Sequence, residues 1–318
     1  MSDSALNCAV TGGCGFIGSH LVRRLAGLGA RRVTVIDSLE YGQRINLDPL
    51  PSSVSIQEHR LSGESLSSMR KCLSGVDVLF HLAAEKHNQS INTPLKVIDA
   101  NISGTQALLQ AAAECRVKKV VFASSLYSYG RMSGAPFTED ETPGPLTLYG
   151  ISKLAGEHLC RMFHIETGLS AICLRYLFVY GPRQYANLGY KSVIVKTFQR
   201  LIEGVPPIIN GDGMQTLDYV YVDDAVEAAV RAAAAPLAFE VLNVSTGQGT
   251  KVKDLVEMMQ TVAGTRLEPV HAPADRTAGS YRVGDPSKLR TVLNFTPGTP
   301  LMAGLARTYR WILESRPV

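Results

Sequence analysis

Three glycines spaced three apart, Gly12, Gly15 and Gly18, separate a short apolar run from a segment whose apolar residues recur with helical spacing. Residues 6–11 (Leu-Asn-Cys-Ala-Val-Thr) predict a buried strand and Phe16–Leu28 a helix, so the chain must turn sharply from one into the other. Glycine allows such a turn and lets backbone N–H groups approach an anion at the positive end of the helix. The same glycines outside a strand–helix context would imply little. Further short β-branched or apolar runs follow at Val33–Ile36, Val76–Phe80, Val120–Ala123 and Ala171–Tyr176, with helical stretches between them. Strands that are apolar throughout, rather than alternating, are buried on both faces. The pattern therefore predicts an α/β fold with a doubly wound parallel sheet.

After Gly181-Pro182 glycine and proline become frequent, and a smaller, discontinuous C-terminal lobe is expected to begin at 178. The predicted division is 1–177, with 218–245 returning to it as another strand–helix–strand unit, against a lobe of 178–217 and 246–318. The chain has 318 residues, 45% apolar and 19% charged, with 32 basic and 28 acidic side chains for a net charge of +4. Such a composition supports a large core and excludes disordered, collagen-like and coiled-coil classes. The basic residues are scattered, so no nucleic-acid partner is expected. Six cysteines without a C-x-x-C pair predict neither a zinc site nor a disulfide framework, and no metal is expected. Asp3 and early glycines argue against a signal peptide, and no run is apolar and long enough to span a membrane, which predicts a cytoplasmic protein.

Asp37 closes the second predicted strand, where an acid can accept hydrogen bonds from both hydroxyls of a ribose and repels a 2′-phosphate. Together with the glycine turn this predicts NAD rather than NADP. Tyr149-Gly-Ile-Ser-Lys153 opens a helical segment, 149–163, on which residues four apart share a face. An ammonium beside a phenol favours the phenolate, so Lys153 is expected to lower the pKa of Tyr149 and make it a base for a sugar hydroxyl. Ser124-Ser125 ends a predicted strand, where ligand-facing groups of open α/β sheets belong. His20, His81 and Cys14 read as packing or loop residues, and Asp223-Asp224 as helix-capping acids.

With these pieces in order the chain resembles the extended short-chain dehydrogenases/reductases of the nucleotide-sugar epimerase/dehydratase group over nearly its whole length. The matching strings are TGGCGFIGSHL (11–21), Asp37 in VIDSLEYGQRINL, DVLFHLAAE (77–85), NISGT (101–105), FASS…YG (122–130), YGISK (149–153), LRY..VYGPRQ (174–184), NGDG (210–213) and YVDD (221–224). The resemblance implies a Rossmann fold, a bound NAD kept through the cycle, a UDP- or dTDP-sugar substrate and a homodimer built on helices around 95–114 and 153–166. It implies cofactor contacts from Gly12, Gly15, Phe16, Ile17, Gly18, Asp37, Leu82, Ala83, Ala84, Lys86, Asn101, Ser124, Tyr149 and Lys153. It implies that Tyr149 takes the 4-hydroxyl proton, that Ser125 bonds the same oxygen, and that Lys153 holds Tyr149 and the nicotinamide ribose.

Four departures bear on the reaction. The Asp-Glu acid/base pair of sugar 4,6-dehydratases is Leu126-Tyr127 here, which disfavours a standard 4,6-dehydratase. The family Asn at the substrate diphosphate is Phe178, and the phosphate-binding Arg is Leu217, so diphosphate contacts are expected from Arg183, Lys191 and Arg276, with Ser125, Tyr149, Phe178 and Val193 completing the substrate set. The polar run Glu85-Lys86-His87-Asn88-Gln89 is about one residue shorter than the family usually has and resembles dehydratases more than simple epimerases. An elimination needs a base for the carbon-5 proton and an acid for the 6-hydroxyl; Tyr127, Lys86, Glu85 and His87 are the candidates, with Tyr127 and Lys86 joining Tyr149, Lys153 and Ser125 as expected catalytic residues. The resulting expectation is an enzyme that transiently oxidises carbon 4 of a UDP-hexose, leaning to an atypical UDP-GlcNAc 5,6-dehydratase as in the tunicamycin pathway, with a UDP-sugar 4-epimerase as the alternative and a non-catalytic NAD-binding sensor as the reading from a different class.

Overall fold

A computed structural model describes residues 5–87, 89–130, 135–185, 192–275 and 277–315. The chain divides into two compact units, the first holding Met1–Arg131, Thr142–Tyr176 and Val226–Leu242. In the first unit β1 (Asn7–Thr11) leads through the glycine turn into α1 (Phe16–Gly27), then β2 (Arg32–Asp37), β3 (Val54–Glu58), α2 (Leu66–Leu73) and β4 (Val78–His81). There follow α3 (Gln89–Asn92), α4 (Pro94–Ile98), a π-helical turn (Asp99–Ser103), α5 (Gly104–Glu114), β5 (Lys119–Ser125), α6 (Leu148–Thr167) and β6 (Ser170–Tyr176).

The strands form a seven-stranded sheet in the order Phe239–Val244, β6, β5, β4, β1, β2, β3. Each pairing from β6 to β3 is parallel, as the uninterrupted apolar runs require. The reversal of strand order between β1 and β4 is the switch point at which such sheets bind ligands beyond their carboxyl ends. Leu79, Leu108, Val120, Phe122 and Cys173 lie in the core of this unit, all buried. The strand β3 is missing from the periodicity reading because it is an edge strand. Its Ser55, Gln57 and Glu58 break the apolar run.

Helix α6 starts on Thr147, whose Oγ1 accepts the Gly150 N–H at 3.1 Å, and stops at Gly168 with φ 77°, a left-handed cap that suits glycine. Gly156 in its middle is demanded by packing. A Cβ there would stand 2.3 Å from the Phe122 ring on β5, so the missing side chain lets helix and strand approach.

The second unit holds Met132–Glu141, Leu177–Ala225 and Asn243–Val318. It contains β7 (Phe178–Tyr180), α7 (Val193–Ile202), β8 (Ile208–Asn210) and β9 (Thr216–Tyr221); α8 (Val222–Ala234) begins here, and β10 is the strand Phe239–Val244 of the seven-stranded sheet. Beyond it lie β11 (Gly249–Lys251), α9 (Val252–Ala263), β12 (Val270–Ala272), β13 (Tyr281–Arg282), α10 (Ser287–Leu293) and α11 (Leu301–Glu314). Strand β9 pairs with β11, β13 and β7 in a sheet of its own, and β8 pairs with β12.

Two expectations of the sequence are thereby corrected. Of the segment 218–245, β10 joins the large sheet but β9 does not, because Asp218, fully buried, is tied to the Thr246–Gly247 turn at 3.0 Å rather than to a neighbour in the large sheet. The stretch before Thr142 is not wholly part of the first unit either: Phe137 donates to the Val283 carbonyl and accepts from Asn243 Nδ2, both at 3.0 Å. No periodicity marks so short a non-local crossing.

Candidate active site

The glycine turn is built by close backbone approach. A Cβ on Gly18 would lie 2.1 Å from the Gly12 carbonyl oxygen, and one on Gly12, whose φ is 71°, would lie 2.9 Å from the Ala83 amide. Leu82 and Ala83 donate from their amides to Thr11 Oγ1 at 3.2 and 3.1 Å, which lays the Leu82–Ala84 backbone against the turn. Phe16 and Ile17 stand in the first turn of α1, whose amides lack partners within the helix.

Cys14, fully buried, occupies the turn as a small packing residue: its amide donates to Asp37 Oδ2 at 2.9 Å and its carbonyl accepts from Asn46 Nδ2 at 2.9 Å. Burial pushes the Cys14 thiol up to about 12, so it is no nucleophile. The Asp37 carboxylate also accepts the Leu39 amide at 2.9 Å. Burial raises its pKa, and these two amides with the positive charge of Lys86 oppose the rise. Gly42 leaves the carboxylate open, since a Cβ there would lie 2.7 Å from Oδ1. An emptied backbone cradle at a helix start, with a held carboxylate at the end of β2, fits a dinucleotide whose ribose hydroxyls donate to Asp37.

Beneath the turn His81 is buried with Nδ1 at 2.8 Å from Thr11 Oγ1 and Nε2 at 2.9 Å from Thr105 Oγ1. Thr105 donates onward to the Asn101 carbonyl, so the consistent assignment puts the ring proton on Nε2 and makes Nδ1 the acceptor. Burial first, and the charge of Lys153 second, push the His81 pKa down to about 3. It is a neutral connector, as expected.

The second half of the site is a match between one face of α6 and the end of β5. Tyr149 shares a hydrogen bond with Ser125; Lys153 Nζ donates to the Ala123 carbonyl at 2.8 Å; Glu157 accepts from Ser124 Oγ. Alternation along the strand sends Ser125 and Ser124 to opposite faces. The Ser124 hydroxyl is accordingly directed to Glu157.

Asn101 is likewise engaged within the fold. Its Oδ1 accepts the Glu85 amide at 2.7 Å, and its Nδ2 donates to the Glu85 carbonyl at 3.0 Å and to Ser152 Oγ at 3.1 Å. Both amide hydrogens are used in holding the Ala84–Glu85 loop to α6. The π-helical turn that carries Asn101 is what aims it there.

The expected lowering of the Tyr149 pKa by Lys153 does not appear. Burial pushes the phenol up to about 12, with neighbouring Tyr127 adding to the rise and the Ser125 hydrogen bond opposing it. Lys153, with Nζ 5.7 Å from the Tyr149 ring centre, is itself pushed down to about 8 by burial, against the opposing charge of Glu157.

Of the expected acid/base candidates, Tyr127 and His87 meet Tyr149. The His87 and Tyr127 rings stack at 4.9 Å, and both present to Tyr149 edge-to-face at 6.3 and 5.8 Å. Lys86 lies over the Tyr41 ring at 5.1 Å, within electrostatic reach of Asp37 and Glu85. Burial lowers its pKa while those two carboxylates raise it. Glu85 faces Arg60 at 3.5 Å and Lys96 at 3.7 Å.

In the second unit Phe178 packs on Tyr219 at 6.1 Å between ring centres, and Leu217 is buried. Arg183 holds a left-handed backbone with φ 67°, and Val193 opens α7 behind the Ser192 cap. Lys191, Arg276 and Asn88 lie outside the described residues. Arg282, absent from the sequence expectations, is the register partner of Leu217 in the parallel β13–β9 pair, so its side chain leaves the same face. Also absent from those expectations is Glu157, although its spacing of four from Lys153 and eight from Tyr149 was a legible signal.

Among the described residues no group of three or more His, Cys, Asp or Glu could hold a metal, and no helix is long and apolar enough to cross a membrane. Residues 8–245 match the NAD dependent epimerase/dehydratase family. The UDP-glucose 4-epimerase of Mycolicibacterium smegmatis is 34% identical over 94% of this chain and 96% of its own. A dTDP-glucose 4,6-dehydratase of Streptomyces griseus is 31% identical over 96% and 94%. Among solved structures, the UDP-N-acetylglucosamine 4-epimerase of Methanobrevibacter ruminantium M1, in complex with UDP-N-acetylmuramic acid, superposes with a TM-score of 0.92 at 31% identity, covering 98% of this chain and all of that one. By this family match and these relatives the chain belongs to the NAD dependent epimerase/dehydratase family and is an NAD-dependent nucleotide-sugar enzyme.

Proposed function

We propose that this enzyme oxidises carbon 4 of a UDP-hexose transiently and, as an atypical dehydratase, eliminates water across carbons 5 and 6 of UDP-GlcNAc before the hydride returns. The observation that carries the reading is the packing of two further titratable rings, His87 and Tyr127, on Tyr149. An epimerase needs only the carbon-4 base and space for the keto sugar to turn. An elimination needs a second base and an acid beside it.

Bound NAD would supply the hydride acceptor, and its positive nicotinamide would favour the Tyr149 phenolate. Gly12, Gly15, Gly18, Phe16 and Ile17 hold the pyrophosphate, Asp37 the adenosine ribose, and the Leu82–Ala84 backbone with Lys86 flanks it. Tyr149 removes the 4-hydroxyl proton, and Ser125 bonds the same oxygen and orients it. Tyr127 and His87 serve the carbon-5 proton and the leaving 6-hydroxyl, which departs as water with one proton gained. Arg183 and Arg282 bind the diphosphate in place of the side chains replaced by Phe178 and Leu217.

A 4-epimerase is the second reading, favoured by several 4-epimerases among the relatives and by Leu126-Tyr127 standing where 4,6-dehydratases carry Asp-Glu. Proton NMR of the protein with UDP-GlcNAc in deuterated water separates them. Vinyl protons with loss of one water are expected. An axial 4-hydroxyl without deuterium at carbon 5 would assign the epimerase and leave Tyr127 and His87 as walls of the sugar site.

A homodimer is proposed on the exposed Ile91, Leu95 and Ile98 of α3–α4 and Ile151 of the adjacent α6. Sedimentation at micromolar concentration is expected to give twice the chain mass; monomer alone would remove it.

A further inference from the structure

Glu157 is buried, and the partners of its carboxylate are Arg175 on β6 and Ser124 at the end of β5. Its carboxylate takes both arms of Arg175, at 2.9 Å from Nε to Oε1 and 2.7 Å from Nη2 to Oε2, and also accepts from Ser124 Oγ. Both charges are almost fully enclosed, with side-chain exposures of 5% for Glu157 and 4% for Arg175. The guanidinium is in turn stacked 4.5 Å from the Tyr129 ring centre, so the pair is fixed from α6, β5, β6 and the turn after β5 at once. A buried pair of this kind seldom repays its desolvation in stability, which makes a second task the more economical explanation.

Geometry indicates the task. Ser124 is the neighbour of both Ala123, which binds Lys153, and Ser125, which binds Tyr149. Fixing Ser124 therefore fixes the two strand residues that face the dyad. Glu157 also lies one helical turn from Lys153 on the same face. The groups facing Lys153 are Glu157 and Tyr149 from α6, the Ala123 carbonyl and the Phe122 ring from β5, the neutral His81 from β4, and Arg175 of β6 behind Glu157. Among these Glu157 is the one carboxylate.

We propose that Glu157 is a positioning residue of the active site: clamped by Arg175, it holds the end of β5 in register with Tyr149 and Lys153 and supplies the negative charge that keeps the Lys153 ammonium protonated inside the fold. The proposal rests on the reading of Lys153 and Tyr149 as the catalytic pair, but its first test does not. In protein labelled with ¹³C-lysine, the Lys153 ε-carbon signal is the one missing from Lys153→Arg. Its titration midpoint, expected near 8 in the parent, should fall by about one unit in Glu157→Gln and stay in place in Glu157→Asp, which keeps the charge. An unmoved midpoint in Glu157→Gln would overturn the proposal.

The second test uses the NAD-loaded enzyme with UDP-GlcNAc as probe. Glu157→Gln is expected to lower kcat at least tenfold with KM changed less than threefold, and to move the alkaline limb of the kcat profile to lower pH, while Glu157→Asp recovers most of the loss. Equal losses in the Asp and Gln variants, with no movement of the limb, would mean a merely structural residue. If Glu157→Gln does not fold, Glu157→Gln/Arg175→Met removes the stranded guanidinium as well, and the midpoint is expected to move in the same direction. Retained turnover in Tyr149→Phe would instead defeat the underlying reading of the dyad, leaving the titration result standing.

Discussion

Lys153 and the backbone of Ala123 are joined by a 2.8 Å hydrogen bond that crosses from the second turn of α6 to the C-terminal half of β5. The ammonium is thus part of the packing between helix and sheet as well as a neighbour of Tyr149. Burial has pushed its pKa down to about 8, so its charge is least secure at mildly alkaline pH. Loss of the proton removes positive charge from beside the phenol. Turnover is expected to decline as pH rises through about 8, and a kcat profile measured from pH 6 to 10 that stays flat above 8 would contradict this. Tyr149→Phe should lower kcat by about 10²–10⁴-fold with NAD still bound, as the absorbance of the gel-filtered protein would report.

Gly18 has no space for a side chain, its Cβ position lying 2.1 Å from the Gly12 carbonyl oxygen. Gly18→Ala must displace the turn or the start of α1. NAD affinity measured by calorimetry is expected to fall at least tenfold, about 1.4 kcal/mol, and unchanged affinity would show that the turn is not the cradle.

His81 links Thr11 and Thr105 as a neutral ring, with its pKa at about 3 in the fold against an ordinary value of 6.5. Because the folded value is depressed, the unfolded chain takes up a proton first. The stability this ring contributes is whole above about 6.5 and is lost as pH falls toward 3. His81→Leu leaves both buried hydroxyls without their ring partner and is expected to cost about 2–4 kcal/mol at pH 7 while flattening the acid dependence between pH 6.5 and 4. Denaturant unfolding of both proteins across that range checks both parts.

Arg282 shares a sheet face with Leu217 through the β13–β9 register and lies within electrostatic reach of Asp275. Arg282→Ala is expected to raise KM for a UDP-sugar about tenfold with little change in kcat, as loss of a charge-assisted contact made equally in ground and transition states would do. Inhibition by free UDP should weaken in parallel; a variant equal to the parent in both would remove Arg282 from the diphosphate site.

Much of the first unit is legible along the chain because its determinants are local. Glycines between a strand and a helix, a carboxylate at the end of the next strand and a tyrosine four residues before a lysine each act over a turn or two of backbone, so spacing alone places them. The family resemblance then extends these pieces to an NAD-dependent nucleotide-sugar enzyme. What spacing cannot supply is the partner each side chain meets across the sheet. Ser124 and Ser125 are adjacent in sequence but face opposite ways, and only the docking of α6, made possible by the missing side chain of Gly156, gives one to Glu157 and the other to Tyr149. Lys86 and His87 likewise leave one loop for different neighbours, Tyr41 and Tyr127. Strand β9 reads like a member of the large sheet, and its place in a second sheet depends on Asp218 being tied to a turn 28 residues away. The acid–base state of the site was decided the same way: a sequence can place an ammonium near a phenol, but burial, a property of the whole fold, sets the proton affinities of both.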